Sequence, residues 1–211
     1  MDIMDIIARS LMIGQFDPTP VKDFLESLPE EDWKEFTQRQ DQFDAHRATN
    51  TIAAIFPDRQ NYPHLRMQQY KHTDKLMEWV KPIGDAFCEK YLDKPFVCTT
   101  AIFVKLAANS NIANHSDSHP YFGVTHRIHW CIDGDYENMH FMIAGHRVEM
   151  YAGDAIEINN RLPHSVAYTG EIPRINGIID YMEVPPVEKK EESSIPVIGD
   201  IPPDTYTGET N

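Results

Sequence analysis

The sequence lacks any apolar run approaching the roughly 20 residues that a membrane-spanning helix requires. Its first nine residues break a short apolar run with acids, and they lack the basic opening of a secretory signal. Cysteine is scarce: Cys88, Cys98 and Cys131 form no C-x-x-C pair, and an odd count gives no disulfide framework. We therefore expect a cytoplasmic protein, away from the membrane, whose thiols are reduced.

Positively charged residues are also few. The chain has 19 lysines and arginines against 33 aspartates and glutamates, for a net charge of −14 at pH 7. Binding to a nucleic-acid backbone depends on a surface of lysine and arginine. This charge balance therefore argues against a nucleic-acid partner.

Two sequence patterns divide the chain at about residue 95. Before that point, apolar residues recur at helical spacing over 20–47 and 73–92, with one candidate strand at 49–56. After it, short β-type runs alternate with glycine-containing turns. The runs lie at 96–106, 127–132, 139–143, 147–151, 155–158, 165–168 and 174–182.

Many short strands at regular spacing are typical of a sandwich or barrel. We predict an α+β fold in which a double-stranded β-helix, the jelly-roll barrel of cupin type, occupies 96–184. Helices from the N-terminal half, 1–95, pack on one face of this barrel, so that 1–184 form a single domain. The remaining 27 residues, 185–211, are acidic and rich in proline, and their few large apolar residues predict an extended tail.

Histidine is concentrated in the predicted barrel: seven of the ten fall between residues 115 and 164. Histidine is the commonest ligand of transition metals. His115 and Asp117 project from the same side of an extended backbone, so they can bind one ion only from a strand-like segment. We expect the polar stretch 109–114 to be a turn that delivers His115 to a barrel mouth. His164 is far enough downstream for the intervening hairpins to return to the same mouth.

Two histidines compete for the place beside Asp117. His119 also shares a face with Asp117, and Pro120 favours an extended backbone at His119, which leaves an Asp-x-His pair possible. In either case two imidazoles and one carboxylate suit one face of an octahedral iron(II) and leave its other positions open for a co-substrate and oxygen. The sequence therefore predicts an iron site of this type.

A metal site alone does not identify the reaction, because many β-barrels bind metals. Arg174 begins the last predicted strand, and its planar guanidinium suits a carboxylate. Arg127 and His129 share one face of an earlier strand, whose alternate residues are apolar and can pack against the helices. Two inward-facing donors are costly unless they meet an anion, and a bound dicarboxylate would supply one.

These residues resemble the aspartyl/asparaginyl β-hydroxylase group of iron(II)- and 2-oxoglutarate-dependent oxygenases, which also includes bacterial proline hydroxylases. The resemblance covers 103–181 and rests on short motifs. They are His115-x-Asp117, Arg127-Ile128-His129, Gly153-Asp154, Pro163-His164-Ser165-Val166, and Arg174 with the apolar strand that follows. The aspartyl/asparaginyl hydroxylases themselves carry glycine in place of Asp117, so this chain is closer to the members with a complete triad.

The resemblance implies a role for each of these residues. The iron(II) ligands that it implies are His115, in preference to His119, together with Asp117 and His164. The residues that it implies for 2-oxoglutarate are Arg174 at the 5-carboxylate, and Arg127 with His129 at the 1-carboxylate end. The implied activity consumes O2 and 2-oxoglutarate, forms succinate and carbon dioxide, and hydroxylates an amino-acid residue in a peptide or protein, or a free amino acid.

Two other functions are compatible with the same residues. A cupin-like metal-dependent enzyme would use the triad without 2-oxoglutarate, and its activity would not depend on Arg174. A non-catalytic barrel would bind a small ligand or a partner through its surface and would gain no stability from metal, whereas a metal that binds only the folded state must stabilise it.

Overall fold

Two antiparallel sheets organise the computed structural model, which describes residues 10–38, 41, 46–91 and 94–184. The strands found in this part of the chain are β1 (Ser10–Gln15), β2 (Thr49–Pro57), β3 (Met67–Gln69), β4 (Phe96–Leu106), β5 (Asn111–His115), β6 (Thr125–Asp133), β7 (Met139–Ile143), β8 (His146–Val148), β9 (Asp154–Ile158), β10 (His164–Tyr168) and β11 (Arg174–Glu183). The larger sheet has the order β1-β9-β6-β11-β4-β2-β3, and the smaller sheet the order β5-β10-β7-β8.

Helices cover the outer face of the larger sheet. They are α1 (Thr19–Ser27), α2 (Glu30–Glu35) and α3 (Thr73–Lys90). Along α3, Leu76, Val80, Ile83 and Phe87 recur at helical spacing and are fully buried. They join a core that includes Ile128 and Trp130 of β6. The prediction that the apolar residues of this strand pack against helices is thus confirmed, and Arg127 and His129 face the other side.

A second core lies between the two sheets. Cys131, Ile156 and Ile158 come from the larger sheet, and Phe141 and Val166 from the smaller one. Because side chains alternate along a strand, each strand of the larger sheet sends one set outward to the helices and the other set inward. The inward set also forms the walls of the cavity described below.

Most predicted strands are present. The runs at 96–106 and 139–143 match β4 and β7 residue for residue, and each of the other predicted runs overlaps a strand. The α+β class is confirmed. The predicted tail, 185–211, lies outside the described residues, and the single domain over 1–184 stays a prediction. No helix in the described part is both long and apolar enough to cross a membrane.

Two details of the prediction are wrong. The segment before residue 95 contains two strands that were not predicted, β1 and β3, which form the two edges of the larger sheet. The expected turn at 109–114 is instead largely strand β5. This strand is an edge of the smaller sheet and is mostly exposed, so its sequence carries none of the apolar alternation by which strands are recognised.

The contact between α3 and β11 provides a test of this packing. A Cβ at Gly84 would clash with the hydroxyl of Tyr181 and would lie 2.8 Å from its Cζ. We expect Gly84→Ala to lower the free energy of unfolding by about 1–3 kcal/mol, the usual cost of overpacking, although alanine favours helix over glycine by about 1 kcal/mol. Urea denaturation measures the change. Tyr181→Phe in the same background should restore part of it, and a more stable Gly84→Ala would contradict the contact.

Candidate metal centre and co-substrate cavity

The pairing of two strand ends brings two histidines together. In the antiparallel pair formed by β5 and β10, His115 lies directly opposite His164, and their ring centroids are 4.3 Å apart. Asp117 follows two residues after the end of β5. Its backbone N–H donates to the carbonyl of Asn160, at 3.0 Å, which ties the segment after β5 to the segment before β10.

These three side chains form a compact cluster. One nitrogen or oxygen from each of His115, Asp117 and His164 lies within 4.8 Å of those of the other two, and this is the one such cluster found among the described residues. His119 is not part of it. Its Nδ1 accepts a hydrogen bond from the backbone N–H of Tyr121, at 3.2 Å, at the start of the 3-10 turn Pro120–Gly123. The geometry thus pairs Asp117 with His115 rather than with His119.

Hydrogen bonds fix both histidines of the cluster in the same tautomer. His115 Nδ1 lies 2.8 Å from the carbonyl oxygen of Ala113, and His164 Nδ1 lies 2.9 Å from that of Leu162. A carbonyl oxygen can only accept, so each Nδ1 carries the hydrogen. In the neutral ring Nε2 then bears the lone pair, which is the usual arrangement for a metal-binding histidine.

Asp117 is held through one of its two carboxylate oxygens. Oδ2 accepts from Arg127 Nη1 at 2.5 Å and from Asn160 Nδ2 at 2.7 Å. Oδ1 lies on the side of the histidines, 4.0 Å from His115 Nε2. Burial would raise the pKa of Asp117, but the charge of Arg127 and the hydrogen bond from Asn160 hold it below its ordinary value.

The histidine on β10 is also held in its metal-binding form. Burial lowers the pKa of His164, because a buried imidazole resists taking up a charge. Metal ligands must be deprotonated, which means a neutral imidazole and an ionised carboxylate. His164 and Asp117 are both shifted toward those forms before any ion binds.

Arg174 shares a cavity between the sheets with this cluster. Its side chain is buried, and Nη2 donates to Asn176 Oδ1 at 2.8 Å. Its Nε is buried without a hydrogen-bond partner, and no carboxylate in the described part of the chain lies within ion-pair distance of it. A buried guanidinium with an unused donor is costly. A carboxylate entering the cavity would satisfy it.

Asn176 also fixes the tautomer of His129. Arginine only donates, so the amide oxygen of Asn176 faces Arg174 and its Nδ2 faces His129 Nδ1, at 3.1 Å. Nδ1 of His129 is therefore an acceptor, and in the neutral ring the hydrogen is on Nε2. The cavity thus contains two kinds of histidine: His115 and His164 present lone pairs at Nε2, whereas His129 has an N–H there.

Contrary to expectation, Arg127 meets anions that belong to the chain itself. Its Nε and Nη2 donate to the two oxygens of Asp180, at 2.7 and 2.8 Å, and its Nη1 donates to Asp117. Asp180 is completely buried. Burial would raise the pKa of Asp180, but the adjoining charge of Arg127 holds it below its ordinary value. Arg127 lines the cavity, yet carboxylates of the chain itself already surround it.

Sequence reasoning missed four polar residues of this region. They are His46, Asn160, Asn176 and Asp180. A signal existed for two of them: residues 174, 176, 178 and 180 share one face of β11, and three of these four are polar in an otherwise apolar strand. Asn160 lies in a loop and His46 approaches His115 edge-on, with ring centroids 5.5 Å apart. Neither position has a sequence pattern that indicates its place.

The chain resembles known proteins in its structure. No family model and no curated protein sequence matches the chain. An oxidoreductase of the 2OG-Fe(II) oxygenase family from Burkholderia pseudomallei superposes with a TM-score of 0.59 at 10% identity, over 82% of this chain and 84% of that one. The fold is the double-stranded β-helix of such oxygenases. The fold predicted from the sequence is confirmed.

Two prolyl hydroxylases share this double-stranded β-helix. The enzyme from Trichoplax adhaerens, in complex with a hypoxia inducible factor peptide, has a TM-score of 0.59 at 11% identity, over 83% of this chain and 84% of that one. The viral collagen prolyl hydroxylase of Paramecium Bursaria Chlorella virus-1, in its 2OG complex, has a TM-score of 0.55 at 7% identity, over 87% and 99%. At such identities the likeness concerns the fold alone.

The tautomers can be measured directly. In the metal-free protein above pH 7, we expect long-range 1H–15N NMR correlations to place the ring hydrogen on Nδ1 in His115 and His164 and on Nε2 in His129. Asn176→Leu removes the donor to His129 and serves as the matched control, because it should change the signal of His129 and leave the other two unaltered. Finding Nε2–H in His115 or His164 would contradict the assignment.

Proposed function

We propose that the chain is an iron(II)- and 2-oxoglutarate-dependent oxygenase that hydroxylates an amino-acid residue in a polypeptide, or a free amino acid, with formation of succinate and carbon dioxide. One observation carries this proposal: a single cavity contains both the cluster of two histidines and a carboxylate and the buried guanidinium of Arg174. The fold supports it, since solved 2OG-Fe(II) oxygenases share it.

The residues of the cluster fit iron(II). His115, Asp117 and His164 would hold the ion through two imidazole nitrogens and one carboxylate oxygen, the ligand set typical of non-haem iron oxygenases. The bound iron would supply the activation of O2 that is coupled to decarboxylation of 2-oxoglutarate. The chain's part is to keep His164 neutral and Asp117 ionised, and to direct the ligand atoms to one point.

Other residues of the same cavity fit the co-substrate. Arg174 would pair with the 5-carboxylate of 2-oxoglutarate through its fork of donors, including Nε. His129 would donate its Nε2–H toward the 1-carboxylate end. Asp117 is the one carboxylate among the described residues that line the cavity. In a chain with net charge −14, such a cavity selects for an anion.

We revise the role that the resemblance implies for Arg127. Two of its donors bind Asp180 and a third binds Asp117. We propose that Arg127 acts on the co-substrate only indirectly, by holding a metal ligand. This leaves Arg174 and His129 as the residues that contact 2-oxoglutarate.

The apolar walls of the cavity would limit the access of water to the reacting groups. Val104, Leu106, Phe141 and Ile178 line it from both sheets. A dry cavity strengthens the pairing of Arg174 with a carboxylate, and it keeps water from competing with the substrate. The two alternative functions give no reason for a buried arginine in such a place, since neither requires a dicarboxylate beside the metal.

The amino-acid substrate is supported by the motifs shared with the β-hydroxylase group, which includes proline hydroxylases. Two of the solved structures with this fold are also prolyl hydroxylases. Assignment to the aspartyl/asparaginyl β-hydroxylase group belongs to this proposal, within the branch that keeps the carboxylate ligand. Incubation with panels of peptides and free amino acids, followed by mass spectrometry for one added oxygen atom, identifies the substrate.

Anaerobic titration tests the co-substrate most simply. With iron(II) present, we expect addition of 2-oxoglutarate to produce a visible metal-to-ligand charge-transfer band, because the keto oxygen and the 1-carboxylate would chelate the ion. His164→Ala should abolish or shift the band. A wild-type protein that binds iron but gives no band would contradict the proposal, and an unaltered band in His164→Ala would contradict the ligand assignment.

Arg174 separates the proposed activity from a cupin-like one. We expect Arg174→Met to weaken binding of 2-oxoglutarate by about 30-fold or more, since a buried charge-paired hydrogen bond is worth roughly 2–5 kcal/mol, while metal binding stays close to the wild type. Isothermal titration calorimetry measures both affinities. Arg147→Met, an exposed arginine of β8, is the control. Equal affinity in Arg174→Met and wild type would refute the role of Arg174.

A further inference from the structure

Four side chains of alternating charge form a row that ends at the metal cluster. Asp117 contacts Arg127 at 2.5 Å, Arg127 contacts Asp180 at 2.7 and 2.8 Å, and Asp180 lies 3.7 Å from Arg59 Nη2. Asp180 is completely buried and Arg127 almost so. Buried charges are tolerated when each is paired and hydrogen-bonded. Here each inner member has an opposite charge on both sides.

Asp180 determines which way the guanidinium of Arg127 points. It accepts from both Nε and Nη2, so it engages one complete edge of the planar group. Because the guanidinium is rigid, fixing that edge fixes the direction of the remaining nitrogen as well. That nitrogen, Nη1, donates to Asp117 Oδ2.

Arg59, at the outer end of the row, is also held by its neighbours. The guanidinium of Arg59 lies over the rings of Phe56, Tyr121 and Phe122, at 4.5 to 4.8 Å from their centroids. The hydroxyl of Tyr121 donates to Asp180 Oδ2 at 3.2 Å. Asp180 is thus held by Arg59 and Tyr121 as well as by Arg127.

We propose that Asp180, acting through Arg127, is a positioning residue that keeps Asp117 a one-oxygen metal ligand. Arg127 and Asn160 occupy Oδ2 of Asp117, which leaves Oδ1 on the side of the histidines. A carboxylate bound through one oxygen takes up one coordination position, so the remaining ones stay open for co-substrate and O2. This inference rests on the proposed function, because it assumes that the cluster binds a metal.

The test is binding of cobalt(II) to the metal-free protein, measured by calorimetry in wild type and Asp180→Asn. The substitution keeps the shape but places an amide N–H group where a carboxylate oxygen accepted from Arg127. We expect cobalt(II) affinity to fall by about 10- to 100-fold, the usual effect of losing a group that orients a metal ligand. Unaltered affinity in a folded Asp180→Asn would overturn the inference.

Two control experiments distinguish a positioning role of Asp180 from a general loss of stability. Glu157→Gln makes the same chemical change in another carboxylate of the larger sheet, one that binds Tyr91 and His126 on the helical side. It should lower the melting temperature without weakening cobalt(II) binding. In the Asp117→Ala background, Asp180→Asn should cause no further loss of cobalt(II) affinity. A further loss there would show that Asp180 acts by another route and would overturn the inference.

A second variant provides the test if Asp180→Asn does not fold. Replacing a buried ion pair by apolar residues of similar volume is often neutral for stability, so Arg127→Met with Asp180→Leu should fold yet bind cobalt(II) weakly. Wild-type affinity in this double variant would overturn the inference while leaving the metal site intact. Failure of the wild-type protein to bind any divalent metal would instead overturn the proposed function, and this inference with it.

Discussion

The candidate site depends on the register between β5 and β10. This pairing places His115 opposite His164, and the backbone hydrogen bond from Asp117 to Asn160 continues it beyond the end of β5. A shift of one residue would turn the side chains of one strand to the opposite face of the sheet. The two histidines would then separate, and no rearrangement of side chains alone would restore the cluster.

The second constraint is electrostatic. The chain is strongly acidic as a whole, yet its central cavity contains two arginines, several histidines and a single carboxylate among the described residues that line it. The two arginines are used differently. Arg127 is surrounded by carboxylates of the chain, one of which is Asp117 of the candidate metal cluster. Arg174 donates to the amide oxygen of Asn176 and retains a buried donor, Nε, for an anion from outside.

Much of the fold was predictable because its strands are locally encoded. β4, β7 and β11 are rich in apolar residues, and their limits matched the predicted runs closely. β5 was not predictable, since an exposed edge strand needs no apolar face. Its pairing is decided by β10, which is far away in sequence. Two strands of the N-terminal half were missed for a related reason: β1 and β3 are short edge strands that depend on partners.

The candidate site was likewise predictable only in part. His115, Asp117, His164 and Arg174 were found from spacing and resemblance, and they lie in one cavity. The choice between His115 and His119 required the cluster geometry. The partner of Arg127 also required the fold, because Asp180 is distant in sequence and meets Arg127 only through the pairing of β6 with β11. Local sequence indicates which groups are present, but the register of the sheet decides which of them meet.

We propose that one cavity of this chain binds a metal and a 2-oxo dicarboxylate together. Calorimetric titration of 2-oxoglutarate and of glutarate, each with and without manganese(II), tests it most directly. Two ligands that contact each other in one site change each other's affinity by the same factor, and chelation of the metal makes that change an increase. We expect manganese(II) to strengthen binding of 2-oxoglutarate markedly and to strengthen that of glutarate, which lacks the keto oxygen, much less. Equal affinity for 2-oxoglutarate with and without manganese(II) would contradict it.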